Sequence, residues 1–154
     1  MNRHNGAMTN EIPSEAVVDA WINLVRAQHR VLSAVEDDLK RAGFPPLSWY
    51  DVLLELRRTG DDGLRPFEIE ARLLLAQHNV SRLIERLEKA GYVARKAHES
   101  DGRGQRILLA APGAELLARM WPAYRAAIER HVGSKLSGDD AARDLAGLLG
   151  RLLA

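Results

Sequence analysis

Between Ser14 and Ala42 the chain runs without a single proline or glycine. Over that span apolar residues return at Val17/Val18, Trp21, Leu24/Val25, Val31/Leu32, Val35 and Leu39, a period near that of an α-helix. Ser14 is placed to cap its start, with Glu15 and Asp19 where the helix dipole favours negative charge. Gly43 followed by Phe44-Pro45-Pro46 ends it. A helix of this length is more than a small domain needs for its own core. Its surplus apolar stripe calls for a partner.

The rest of the chain is punctuated much more often. A second helix is expected after Ser48, where Ser48-Trp49-Tyr50-Asp51 resembles a capping box with Asp in place of Glu. Thr59-Gly60-Asp61-Asp62-Gly63 is a turn by composition, and Pro66 opens a short helix through Leu73. Another helix is expected over about Gln77 to Ala90, with Val80, Leu83, Ile84 and Leu87 on one face and Gly91 as its stop. The period then changes. Tyr92–Lys96 and Gln105–Leu109 are short strand-like runs joined by the polar loop His98–Gly104, which together read as a hairpin. Pro112-Gly113 starts a long helix to about Leu136, carrying Leu116, Leu117, Met120, Trp121, Tyr124 and Ile128. Ser137-Gly138-Asp139-Asp140 then caps a last helix with Leu145, Leu148, Leu149, Leu152 and Leu153.

Helix, short turn and helix followed by a two-stranded hairpin is the layout of a winged helix-turn-helix. The fold class expected is therefore mainly α with a small β-hairpin wing, flanked by long N- and C-terminal helices. Three places in Leu47 to Gly113 also resemble the MarR family of bacterial transcription regulators. Leu74-Leu75-Ala76-Gln77-His78-Asn79-Val80-Ser81-Arg82-Leu83-Ile84-Glu85-Arg86-Leu87-Glu88-Lys89-Ala90-Gly91-Tyr92-Val93 looks like that family's recognition helix and its exit. Asp101-Gly102-Arg103-Gly104 is similar to its D-x-R wing signature, and Ile107-Leu108-Leu109 with Gly113 to its strand-to-helix passage. Ala110 departs from the family's usual threonine at the strand exit and so loses a capping hydroxyl. His78 is also uncommon at its place.

Charge supports the resemblance independently. From Ala76 to Arg106, seven cationic side chains against four acids leave the window at +3, and the rest of a chain of net charge +1 at −2. Positive charge thus gathers where phosphates would need it. Gln77, His78, Asn79 and Ser81 are the candidate base readers at the start of the helix. Arg82 suits guanine or a phosphate, whereas Arg86 and Lys89 suit the backbone, and Arg95 is a further candidate DNA contact. By resemblance, Arg103 enters the minor groove and Asp101 orients its guanidinium. The same helix charges also make i,i+3 and i,i+4 pairs, so a merely solvated face would show part of this pattern.

The resemblance implies a homodimer bound to double-stranded DNA, most often a repressor, with residues 14–46 and 112–154 as dimerisation arms around a DNA-binding domain over 47–111. Met1 to Pro13 reads as a flexible tail. It also implies a small-effector pocket between the arms and the DNA-binding lobe. Gln28, His29 and Trp49 are its candidates, suited to a planar phenolic or aromatic carboxylate anion. Gln28 as a satisfied interface amide and Trp49 as a core anchor is the reading the sequence favours over that pocket. Five scattered histidines with no metal-binding spacing, no nucleophile elbow and no phosphate loop argue against an enzyme, and no cofactor is expected. The lack of cysteine removes thiolate metal sites, disulfides and thiol-based peroxide sensing, and fits a reducing cytoplasm. No apolar run approaches the ~20 residues of a membrane span. The competing reading is a winged-helix adaptor that binds protein without sequence-specific DNA recognition; it would not need Arg103 or Gln77–Arg82. Replacing Arg103 by Ala should weaken operator binding by about 1–3 kcal/mol in an anisotropy titration while leaving the dimer intact; unchanged affinity would remove the wing assignment.

Overall fold

A computed structural model describes residues 11–97 and 104–154 of the chain. Most of the tail assigned to Met1–Pro13, and His98–Arg103 of the wing loop, lie outside the described residues. Six α-helices and one hairpin follow in the order α1 (Glu15–Arg41), α2 (Leu47–Thr59), α3 (Pro66–Arg72), α4 (Val80–Lys89), β1 (Val93–Ala97), β2 (Gln105–Leu109), α5 (Ala111–His131) and α6 (Asp139–Leu152). Single 3-10 turns at Gly60–Asp62 and Gly133–Lys135 complete the described order.

The first helix forms as its sequence dictates. Ser14 Oγ accepts the Val17 N–H at 3.3 Å, and Lys40 and Arg41 occupy its last turn. Only Val35 and Leu39 at its C-terminal end are buried; Val17, Trp21 and Val25 remain exposed. The second helix differs from expectation. It begins at Leu47, ahead of Ser48, and no side chain of its own caps it. Instead Glu36 reaches over from α1 and its Oε2 accepts the Leu47 N–H at 3.1 Å. A partner eleven residues upstream removes the need for the local box.

The core gathers around α2. Leu53 and Leu56 pack with Leu39 from α1, Ile69 from α3, Ile84 and Leu87 from α4, Ile107 from β2, and Leu116, Leu117 and Met120 from α5. β1 and β2 pair antiparallel, with Val93 opposite Leu109, Arg95 opposite Ile107 and Ala97 opposite Gln105. A third chain segment joins them: Leu64 N donates to Ile107 O at 2.9 Å, and Ile107 N to Leu64 O at 2.7 Å. This bridge fastens the hairpin to the loop before α3, and it requires Gly63, whose φ is +66° and whose missing Cβ would stand 2.5 Å from Ile107 O. Gly113 serves a similar approach, because a Cβ there would run into the Tyr92 carbonyl.

Helix α5 starts behind Ala110 with no side-chain cap, as expected for an alanine in place of a hydroxyl residue. It ends at His131, sooner than Leu136, and the chain passes through a 3-10 turn before α6. Ser137 does not cap α6; Gly138, with φ +109°, precedes it. No residue of α6 is buried, and Leu148, Leu152 and Leu153 are all more than half exposed.

The C-terminal ends of α1 and α5 are joined by charge. Asp38 accepts from Arg130 Nη1 at 2.7 Å and contacts His131 Nε2 at 2.9 Å, while Arg41 pairs with it from the same helix. The His131 hydrogen bond, followed by the arginines, holds the Asp38 carboxyl below its usual range against some desolvation. A lowered carboxylate pKa contributes stability above the unfolded-state pKa, and that contribution is lost as pH falls through the folded-state value. Asp38→Asn should therefore unfold at lower denaturant concentration than the parent near neutral pH, with the gap closing below the usual carboxylate range. A gap that stays constant with pH would show that the pairs do not stabilise the α1–α5 junction.

Candidate nucleic-acid interface

Ten residues make a short helix, and α4 is stable only because one side of it is buried. Val80, Leu83, Ile84 and Leu87 face the core, the last two with no exposed surface. The opposite face carries Ser81, Arg82, Glu85, Arg86 and Lys89, all exposed. The helix starts at Val80, three residues later than the sequence pattern suggests, because Asn79 is its N-cap: Asn79 Oδ1 accepts the Arg82 N–H at 3.0 Å.

This cap redistributes the candidate readers. Gln77 and His78 stand in the turn ahead of the helix, Gln77 partly covered and His78 exposed. Asn79 is exposed, but its carboxamide oxygen is engaged with its own helix. Ser81 and Arg82 lie in the first turn, and Arg86 one turn further on. Arg95 sits on β1, where its Nε pairs with Glu88 Oε2 at 3.0 Å, tying the wing to α4. Asp101 and Arg103 lie outside the described residues. The structure thus brings Gln77, His78, Ser81, Arg82 and Arg86 onto the leading turn and outer face of α4, with the Arg95 strand beside them.

The turn itself is held by a residue assigned a different role by sequence pattern. Asp51, expected as the acid of a capping box, is 6% exposed on the core side of α2. Its Oδ1 accepts the Leu74 N–H at 3.1 Å and its Oδ2 the Leu75 N–H at 2.9 Å. Burial pushes the carboxyl pKa up, and the two backbone bonds oppose that rise. The signal was present in the sequence, since Asp51 falls one turn after Leu47 and three residues before Leu54, on the apolar stripe.

A MarR family profile matches residues 42–104, from the end of α1 to the start of the second strand. The HTH-type transcriptional regulator YkoM of Bacillus subtilis, itself uncharacterized, is 33% identical over 132 residues, 82% of each chain. The chain belongs to the MarR family. Its fold agrees: a MarR family transcriptional regulator from Streptomyces coelicolor, solved in complex with DNA, superposes with a TM-score of 0.82 at 24% identity, over 93% of this chain and 89% of that one. An organohalide-sensing transcriptional regulator in its 2,4-dichlorophenol-bound form superposes at 0.73 with 19% identity, over 94% and 86%. This MarR family transcriptional regulator is a winged helix-turn-helix protein with long terminal helices. Among its described residues, no helix is long and apolar enough to cross a membrane and no cluster of His, Asp or Glu is arranged for a metal.

The residues suggested for an effector are not gathered in one place. Gln28 and His29 are exposed on α1, and Trp49 packs edge-on against Tyr92 with ring centroids 5.9 Å apart, as a core anchor does. A cavity of about 270 Å³ lies elsewhere, between α2, the turn after α3, and α5. Tyr50, Tyr124, Arg58, Arg72, Asp51 and Glu55 line it, with Leu75, and Arg58 Nη1 donates to Glu55 Oε1 at 2.8 Å. The Tyr50 and Tyr124 rings lie 5.1 Å apart, and burial pushes both phenol pKa values up, so their hydroxyls remain protonated at neutral pH.

The cap at Asn79 predicts a measurable cost. Asn79→Ala should destabilise the protein by about 1 kcal/mol in chemical denaturation, and either Asn79→Ser or Asn79→Asp should keep most of the parent stability. Equal stability of the alanine variant would show that α4 does not depend on this cap.

Proposed function

We propose that this MarR family regulator is a homodimeric, ligand-responsive repressor that binds a pseudo-palindromic operator on double-stranded DNA in the cytoplasm. The observation that carries the reading is the two-faced α4. Its inner face is buried, and its outer face offers Ser81, Arg82 and Arg86 behind an exposed His78. A rigid helix with its polar face outward and a basic strand beside it is suited to the major groove. In this reading Gln77, His78, Ser81 and Arg82 meet base edges, Arg86 and Arg95 hold phosphates, and Arg103, oriented by Asp101, enters the minor groove.

The terminal helices support the dimer. Trp21 is 65% exposed on α1 and Leu152 66% exposed on α6, large apolar surfaces that a single chain leaves in water. A two-fold axis through residues 14–46 and 112–154 would present two copies of the 47–111 domain to half-sites about one helical turn apart. For the effector, the cavity beside Tyr50 and Tyr124 supports a planar aromatic ligand better than the exposed Gln28 and His29 do, because it offers an aromatic wall with Arg72 beside it, Arg58 being paired with Glu55. The organohalide-sensing regulator of the same fold was solved with a planar aromatic ligand, 2,4-dichlorophenol.

Fluorescence anisotropy on the intergenic DNA beside the gene, with random DNA as competitor, tests the whole reading. Saturable, competitor-resistant binding by two chains per site is the expected result; weak, sequence-blind binding would favour the adaptor instead. Within that assay, Arg86→Ala should weaken specific and random DNA alike and lower the salt slope by about 1. Loss confined to the specific site would move Arg86 from the backbone to the bases.

A further inference from the structure

The segment between α3 and α4 carries the residues proposed to read bases, yet its backbone is held by very little. Leu73 N closes α3 on Ile69 O at 3.2 Å, and Asn79 O accepts the first bond of α4 from Leu83 N, also at 3.2 Å. Between them, among the described residues, no main-chain group from Leu74 to His78 bonds to another main-chain group. Alongside the Leu75 side chain packed on the core, the two bonds from Leu74 and Leu75 to the Asp51 carboxylate fasten this stretch. Asp51 is also the single buried polar or charged residue among those described. A carboxylate is costly to bury, and an apolar residue at this point of α2 would pack against the same core. What an apolar residue could not do is accept two N–H groups from a turn.

We propose that Asp51 is the positioning residue of the DNA-reading turn: its carboxylate clamps Leu74 and Leu75 and so fixes where Gln77, His78 and the first turn of α4 stand against the core. The proposal rests on the operator-binding reading for its functional consequence, though not for the clamp itself. Both oxygens are used, one for each amide, so the clamp sets the direction of the turn as well as its distance from α2. Asp51→Asn keeps the side-chain volume and one acceptor but turns an NH₂ group toward the second amide. Base contacts depend on close placement, whereas phosphate contacts by long arginines tolerate a shifted turn.

Two readouts on the whole chain test this. In hydrogen–deuterium exchange followed by mass spectrometry, a peptide covering residues 71–79 should exchange faster in Asp51→Asn, while peptides from α2 and α5 keep their protection. In anisotropy, the ratio of operator to random-DNA affinity should fall about tenfold or more, with random-DNA affinity and its salt slope unchanged. Met120→Ala, a core truncation on α5, serves as the control for general destabilisation and should keep the ratio. Unchanged exchange in the 71–79 peptide would overturn the clamp. An unchanged affinity ratio, or an equal loss in Met120→Ala, would overturn its positioning role. If the parent protein itself shows no preference for any DNA, the operator reading fails, and the exchange result still decides whether Asp51 anchors the turn.

Discussion

Everything exposed on α4 depends on the burial of its other side. Ten residues in isolation would spend little time helical in water, because nucleation is unfavourable and too few bonds follow it. Val80, Leu83, Ile84 and Leu87 change that balance, each contributing on the order of 1.5–3 kcal/mol when fully removed from water. They join one core cluster with Leu53 and Leu56 of α2, Ile69 of α3, Val93 of β1, Ile107 of β2 and Leu116 of α5. The exposed face can then vary without regard to folding. That separation allows Ser81, Arg82 and Arg86 to be a recognition surface on a helix that would otherwise not exist.

Period and punctuation make most of this architecture legible before any coordinates. The apolar spacing in Ser14–Ala42, Pro66 at the head of α3, Gly91 after α4 and the change to strand-like runs at Tyr92 and Gln105 all correspond to elements of the fold. These are local signals, and local physics fixes them. Where sequence and structure part, a distant partner has replaced a local one. Helix α2 opens at Leu47 because Glu36 caps it from α1, so the Ser48 box is idle. Asp51 resembles a cap acid and is a clamp on residues more than twenty positions away. The Leu64–Ile107 bridge has no sequence signature beyond the glycine at Gly63 that permits it.

The candidate site is legible to a different degree. Residue types and charge point to one stretch of chain, and the fold draws its polar members onto α4, its leading turn and the adjoining strand. The role of each residue requires coordinates. Asn79 has the right chemistry for adenine, but its oxygen caps the helix it was expected to extend. Arg95 has the right charge for phosphate, and it is also committed to Glu88. The residues of the cavity proposed for an effector are the least legible, since it is assembled from three elements at once. Tyr50 and Asp51 lie on α2, Leu75 on the turn, and Tyr124 on α5, and no spacing in the sequence links them.

That shared wall gives the cavity a physical route to the interface. Asp51 lines the cavity and its carboxylate holds the Leu74 and Leu75 amides, so a group entering beside Tyr124 meets a residue already bonded to the turn. Few main-chain bonds hold that turn, and regions with few internal bonds are where small free-energy differences move populations. The core on either side, by contrast, is close-packed and resists partial displacement. On the proposed ligand-responsive reading, a ligand that competed for the Asp51 oxygens would shift the turn before it disturbed the helices. The magnitude needed is modest: tenfold in operator affinity corresponds to about 1.4 kcal/mol, which is close to what one hydrogen bond to a charged group contributes.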